Sequence, residues 1–184
     1  MPRFPGLLER FYQPLYDTQE VTPLTTHLKF FEKGYKDGRT QELTNMDIGG
    51  SLPYPKNFQL HGVSVQPDLS ADIDEVKKFT DGAWFRLFIG TKDYLVVPLS
   101  LVLDIPEEEK TTTSCKKDVA AELKRLLSKV RKNQPAIELP EDAVIDLIPL
   151  QSFFTSIVSP APAKISQNFK LKTILYGYYL REVH

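Results

Sequence analysis

Residues 83–103 constrain the chain most. Ala83 to Ile89 reads Ala-Trp-Phe-Arg-Leu-Phe-Ile, Tyr94 to Leu103 reads Tyr-Leu-Val-Val-Pro-Leu-Ser-Leu-Val-Leu, and Gly90-Thr91-Lys92-Asp93 separates the two runs. Two apolar, aromatic-rich runs around a short glycine-containing turn predict a β-hairpin. Period two sets Phe85, Leu87 and Ile89 against Trp84, Arg86 and Phe88. It also gathers Leu95, Val97, Leu99, Leu101 and Leu103 on one face of the second run. Neither run can hide its aliphatic residues alone, so the rest of the chain must supply a covering sheet.

The 184 residues, 41% hydrophobic and 26% charged, suffice for one domain with a full core. Fourteen prolines and eleven phenylalanines favour strands and loops over helices. The net charge of -1 gives no global basic field for nucleic acid or an anionic membrane, so any such attraction must be local. Cys115 is the single cysteine, which excludes an internal disulfide and a Cys cluster for metal and reads as an inert thiol. No apolar run reaches the roughly 20 residues of a membrane span, and Met-Pro-Arg-Phe-Pro-Gly lacks a signal peptide's apolar centre. This points to a protein made inside a cell and used or packaged there.

Along the chain, Pro2 to Thr18 carries Leu7, Leu8, Phe11, Tyr12 and Leu15 between prolines, and reads as an arm over residues 1–22. Leu7, Leu8, Phe11 and Leu15 are too few for a core but enough to fill a groove on an adjacent subunit. Covering the subunit's own core is the alternative use. Strands are expected at 24–31, 40–48, 57–66, 83–89, 93–103, 143–148, 150–158 and 169–182, preceded by an ill-defined strand or arm near Phe11 to Val21. In the third, Phe58, Leu60, Gly62 and Ser64 are expected to alternate with Gln59, His61, Val63 and Val65. Ser70 to Thr80 predicts a short helix capped by Ser70 with Ile73, Val76 and Phe79 on one side. The last run is apolar or aromatic on both faces, so it belongs at a sheet centre.

One strong helix is expected between Lys116 and Lys132, where Val119, Leu123, Leu126, Leu127 and Val130 follow helical spacing and Asn133-Gln134-Pro135 stops it. Its other face is basic, with Lys124, Arg125, Lys129 and Lys132 among its charges. That face is either solvated, paired with acids such as Glu107 to Glu109, or a surface for a partner or for lipid phosphate.

Catalytic constellations are not found. His27, His61 and His184 are scattered, there is no Gly-x-Ser-x-Gly elbow, phosphate loop or His-Glu-x-x-His, and Gly49-Gly50 lacks the rest of a dinucleotide fingerprint. Glu107 to Glu109 sit in a polar loop with nothing to desolvate them. The expectation is a protein that is not an enzyme and uses no cofactor or metal.

Eight strands in two sheets with one inserted helix give an all-β, eight-stranded jelly-roll β-sandwich over residues 23–184. The segments Leu28-Lys-Phe-Phe31, Leu43-Thr-Asn-Met46, Gly50-Ser-Leu-Pro-Tyr-Pro55, Leu87-Phe-Ile-Gly-Thr-Lys-Asp-Tyr-Leu95, Pro98-Leu-Ser100, Ile148-Pro-Leu-Gln-Ser-Phe153 and Leu175-Tyr-Gly-Tyr-Tyr-Leu-Arg181 follow in an order that points to a family. From about Thr22 onward the chain resembles the single jelly-roll capsid proteins of tailless icosahedral bacterial viruses, many with an internal membrane. The resemblance implies a major or second major capsid protein of the virion, assembled in the host cytoplasm. The amphipathic helix would then lie between strands F and G. Implied partners are homo-oligomeric capsomers, other capsid proteins and the viral internal membrane, with no specific nucleic-acid binding. Two other classes stay open: a jelly-roll binding module, such as a virion spike or carbohydrate-binding protein using Trp84, Tyr176, Tyr178 and Tyr179 as stacking platforms, and a cupin-like enzyme or isomerase.

Overall fold

The computed structural model describes residues 8–105, 135–140, 144–160, 162 and 165–182. Leu7, Cys115, Glu107 to Glu109, His184 and the helix expected at 116–132 lie outside them. The described chain is a two-sheet antiparallel β-sandwich.

The first sheet is built on β10 (Phe169–Glu182), the longest strand described. Along one of its edges run β1 (Leu8–Tyr12) and then β2 (Leu15–Val21), and along the other runs β4 (Asn57–Pro67). Two short strands, β7 (Ile137–Glu138) and β8 (Ile145–Leu147), share the far edge of β4. The second sheet has the order β3-β9-β5-β6, formed by β3 (His27–Phe30), β9 (Phe153–Val158), β5 (Trp84–Ile89) and β6 (Lys92–Pro98). If β1 with β2, and β7 with β8, are counted as one row each, the first row pairs with the last, the second with the seventh, the third with the sixth and the fourth with the fifth. One continuous core joins the inner faces, with Phe30, Phe58, Phe85, Phe153, Leu15, Leu60 and Leu87 fully buried.

The expected hairpin, the central placing of the last run, and the strand near 57–66 all occur. Four differences have local causes. First, the segment from Leu8 to Val21 is not an arm separate from the sandwich but two strands of its sheet. Pro14 falls between β1 and β2, where no ladder bond is needed, so the chain continues along the same neighbour.

Second, the strand expected at 40–48 is a set of turns after a short 3-10 helix at Tyr35–Asp37. Thr44 makes a single antiparallel bridge to Asp17, and polar side chains supply the other bonds along the outer edge of β2. Asn45 Oδ1 accepts from Tyr16 N–H at 2.8 Å, Asn45 Nδ2 donates to the Pro14 carbonyl at 2.7 Å, Thr44 Oγ1 donates to the Tyr16 carbonyl at 3.1 Å, and Arg39 donates to the Thr18 carbonyl. The edge is closed to another strand.

Third, β6 ends at Pro98 and not at Leu103. The next residues make one helical turn, α2 (Leu99–Val102), which buries Leu99 and Val102 and leaves Leu101 58% exposed. Proline has no amide hydrogen to continue the ladder, and Leu99 N–H instead donates to the Ala83 carbonyl at 2.8 Å.

Fourth, the β4–β10 register shifts between Tyr176 and Gly177, where His61 is the extra residue on β4. Alternation therefore reverses there, and Val63 and Val65 join Phe58 and Leu60 in the core. A Cβ on Gly177 would stand 2.1 Å from the Gln59 carbonyl oxygen, so only glycine fits the bulge.

The helix expected from Ser70 to Thr80 is α1 (Ile73–Thr80), capped by Asp72, whose side chain accepts from Asp74 N–H. Its Glu75 is buried and clamps the segment that leads into β10. It accepts from Ser166 N–H at 2.6 Å, Ser166 Oγ–H at 3.0 Å and Lys78 Nζ at 2.7 Å, and these bonds, Lys78 first, hold its pKa at about 2.

Candidate functional site

Two surfaces outside the core concentrate aromatic and charged side chains. The larger lies on the outer face of the second sheet, where strand register sets three rows across four strands. His27, Val158, Trp84 and Pro98 form one row, and Lys29, Ser156, Arg86 and Val96 form the next. Phe154 lies opposite Phe88 in the third, their rings stacked at 4.5 Å. Lys29 Nζ lies 5.7 Å from the Phe154 ring centre and the Arg86 guanidinium 4.9 Å from that of Phe88, within cation–π range. Together with Thr26, Val158 and Ser159 these groups line a hollow of about 410 Å³. Each cation also has an acid at the rim: Lys29 pairs with Glu32 at 3.2 Å and Arg86 with Asp93 at 2.6 Å. Beside the hollow, Trp84, Tyr94 and Val96 are all about half exposed.

The smaller surface, on the first sheet, is a hollow of about 280 Å³ lined by Tyr12, His61, Glu138, Leu139, Tyr176 and Tyr178. Arg10 closes one side. Its guanidinium lies 4.0 Å from the Tyr178 ring centre, and Nη2 donates to His61 Nε2 at 2.9 Å. Burial raises the pKa of Tyr12 and of Tyr176, although the bond from Ser64 opposes it at Tyr176, so both phenols keep their protons at neutral pH. The bulge at His61 aims this histidine into the hollow, which period-two alternation alone does not foresee.

Of the residues expected to touch a neighbouring subunit, the two whose side chains are described, Phe11 and Leu15, pack on their own sandwich. Leu15, opposite Leu175, is fully buried in its own sandwich core, and Phe11 stacks on Tyr179 with ring centres 5.5 Å apart. For these two the inter-subunit expectation is corrected: each lies on the core side of its own sheet. Leu8 pairs with Glu182 in the same sheet. Leu7, Lys124, Arg125, Lys129 and Lys132 lie outside the described residues. Of the expected stacking aromatics, Trp84 and Tyr178 reach the outer surfaces, whereas Tyr176 and Tyr179 are buried.

Between β2 and the second sheet, Asp17 is fully buried. It accepts from Phe31 N–H at 2.7 Å and Thr18 N–H at 3.0 Å, and its ion pair with Arg39 spans 3.3 Å. Desolvation still outweighs these contacts and raises its pKa. Its function is structural, because it fixes Phe31, whose φ of 67° is in the left-handed region. Among the described residues no group of three or more His, Cys, Asp or Glu could hold a metal ion, and no helix is long and apolar enough to cross a membrane. No protein-family model, curated protein or solved structure matches this chain.

Proposed function

We propose that this chain is a structural protein of a virion, a jelly-roll capsid subunit of the tailless icosahedral bacterial-virus type that builds a shell by self-association. The carrying observation is the pairing order, first row with last and so inward to the fourth with the fifth. A long hairpin wrapped on itself into two facing Greek keys would pair in this way, and this supports the jelly-roll reading. The aromatic and cationic outer face of the second sheet supports the reading, since an apolar patch rimmed by charge marks a contact surface. Capsomers, other coat proteins and the virion as location belong to the same proposal, as does a partner or lipid-phosphate role for Lys124, Arg125, Lys129 and Lys132. Electron microscopy of the purified chain tests it. Capsomers or closed shells are expected, and a uniform field of monomers at every concentration overturns it.

The hollow around Tyr12, His61, Tyr176 and Tyr178 favours a second reading, a carbohydrate-binding jelly roll in which an exposed ring and polar tips receive a sugar. A glycan array separates the two. Saturable binding that Tyr178→Ala abolishes, with no assembly, selects the binding module.

A further inference from the structure

We propose that the turn from Asp68 to Ala71 of one copy inserts Leu69 into the Phe88–Phe154 hollow of a second copy, joining subunits head to tail. This contact rests on the shell-building reading and supplies it with a partner surface.

The inserted turn is rigid before it binds. Ala71 N–H donates to the Asp68 carbonyl at 2.9 Å and closes a β-turn, Ser70 Oγ donates to Asp68 Oδ2 at 3.0 Å, and Asp68 N–H ties the turn to the Lys170 carbonyl at 2.9 Å. Docking such a turn costs little ordering entropy. Leu69 at its apex is 86% exposed, the most exposed large apolar side chain among the described residues.

Charge selects this side chain over its rivals. Leu24, Tyr54 and Leu150 are also more than three-quarters exposed. Leu24 and Leu150 have no charged residue within two positions, and Tyr54 stands two residues from Lys56. Leu69 follows Asp68, with Asp72 and Asp74 close behind, all three exposed. The hollow is the counterpart: two stacked phenylalanine rings for the leucine, and Lys29, Arg86 and His27 around them for the carboxylates. Glu32 and Asp93 already pair with Lys29 and Arg86, but exposed ion pairs contribute little, and the several donors of these two cations can serve a second carboxylate each.

The geometry is heterologous. The turn is bonded to β10 of the first sheet, whereas the hollow opens on the outer face of the second, so each copy presents both halves at different places. Contacts of this kind, made head to tail, generate rings or extended lattices.

Sedimentation velocity on the full chain tests the contact. Leu69→Asp in one variant, at unchanged melting temperature, and Lys29→Glu with Arg86→Glu in another, with the melting temperature lower by only a few degrees because the new glutamates face Glu32 and Asp93, should each weaken association at least about tenfold, the loss expected from one buried leucine or two reversed charges. Leu69→Ser should weaken it similarly, which keeps the test valid if the aspartate perturbs the turn. Mixing the two variants is decisive, because the first retains an intact hollow and the second an intact turn. A one-to-one pair that grows no further is expected. If the parent assembles and the variants assemble equally well, or if the mixture yields no pair, the contact is wrong while the shell reading stands. If the parent itself never associates, both fall.

Discussion

The outer edge of β2 in the first sheet is closed by Asn45, Thr44 and Arg39, and every residue of the central strand β10 is paired on at least one side. The second sheet is open by comparison. No strand lies beyond β6 among the described residues, and Trp84, Tyr94 and Val96 are about half exposed. Apolar surface and a bare strand edge are hazards unless another molecule covers them. On the shell-building proposal, the contrast gives stability to the first sheet and association to the second, and each assignment can be broken separately.

The largest effect should come from cutting the chain before Phe169. This removes the strand that pairs β1, β2 and β4 at once, and soluble folding should be lost; a truncated chain with a cooperative melt would show β10 to be peripheral. Next in size is deletion of residues 1–18, which takes away buried Leu15 and Asp17 together with the partly buried Phe11. Losing two large apolar groups from a core costs about 5 kcal/mol or more, so the melting temperature should fall by at least about 10 °C. An unchanged melt with lost assembly would restore the free-arm expectation.

Asp17→Asn should be milder. Because burial raises the Asp17 pKa, the charge itself stabilises little. The amide, however, offers one acceptor oxygen where Phe31 and Thr18 N–H groups need two. One unsatisfied buried donor costs about 2 kcal/mol, read as a melting temperature lower by about 4 to 8 °C.

Smaller still is the acid response through Glu75. Its folded pKa of about 2 lies below the unfolded value of about 4.3, so its stabilisation is complete above the latter and is lost as pH falls toward 2. Glu75→Gln should lower the melting temperature at pH 7 and flatten its fall between pH 4.3 and 2. A parallel fall in both proteins would remove Glu75 from the account.

Much of this contrast was legible in the residues. Phe85, Leu87 and Ile89 alternate cleanly with Trp84, Arg86 and Phe88, and the double-sided apolar run after Phe169 marks a central strand. Three kinds of feature were not legible. Pro5 and Pro14 imitate an arm, because a sequence does not reveal that Pro14 falls between two strands on one neighbour. The alternation at Leu99, Leu101 and Leu103 competes with a helical reading, and Pro98 decides in favour of Leu99 and Val102. The hollow draws on residues near 27, 86 and 154, distant in sequence and brought together only by the pairing of β3, β9 and β5.

The separation of stability from association is tested most directly by sedimentation velocity and a thermal melt on the same sample of the Trp84→Ser chain. Trp84 lies half-buried on the open face opposite Val158, so its truncation should cost at most about 3 kcal/mol in the melt, well short of unfolding the chain, while association weakens several-fold. A sharp fall in melting temperature with association unchanged would contradict the account and place this face in the service of the fold alone.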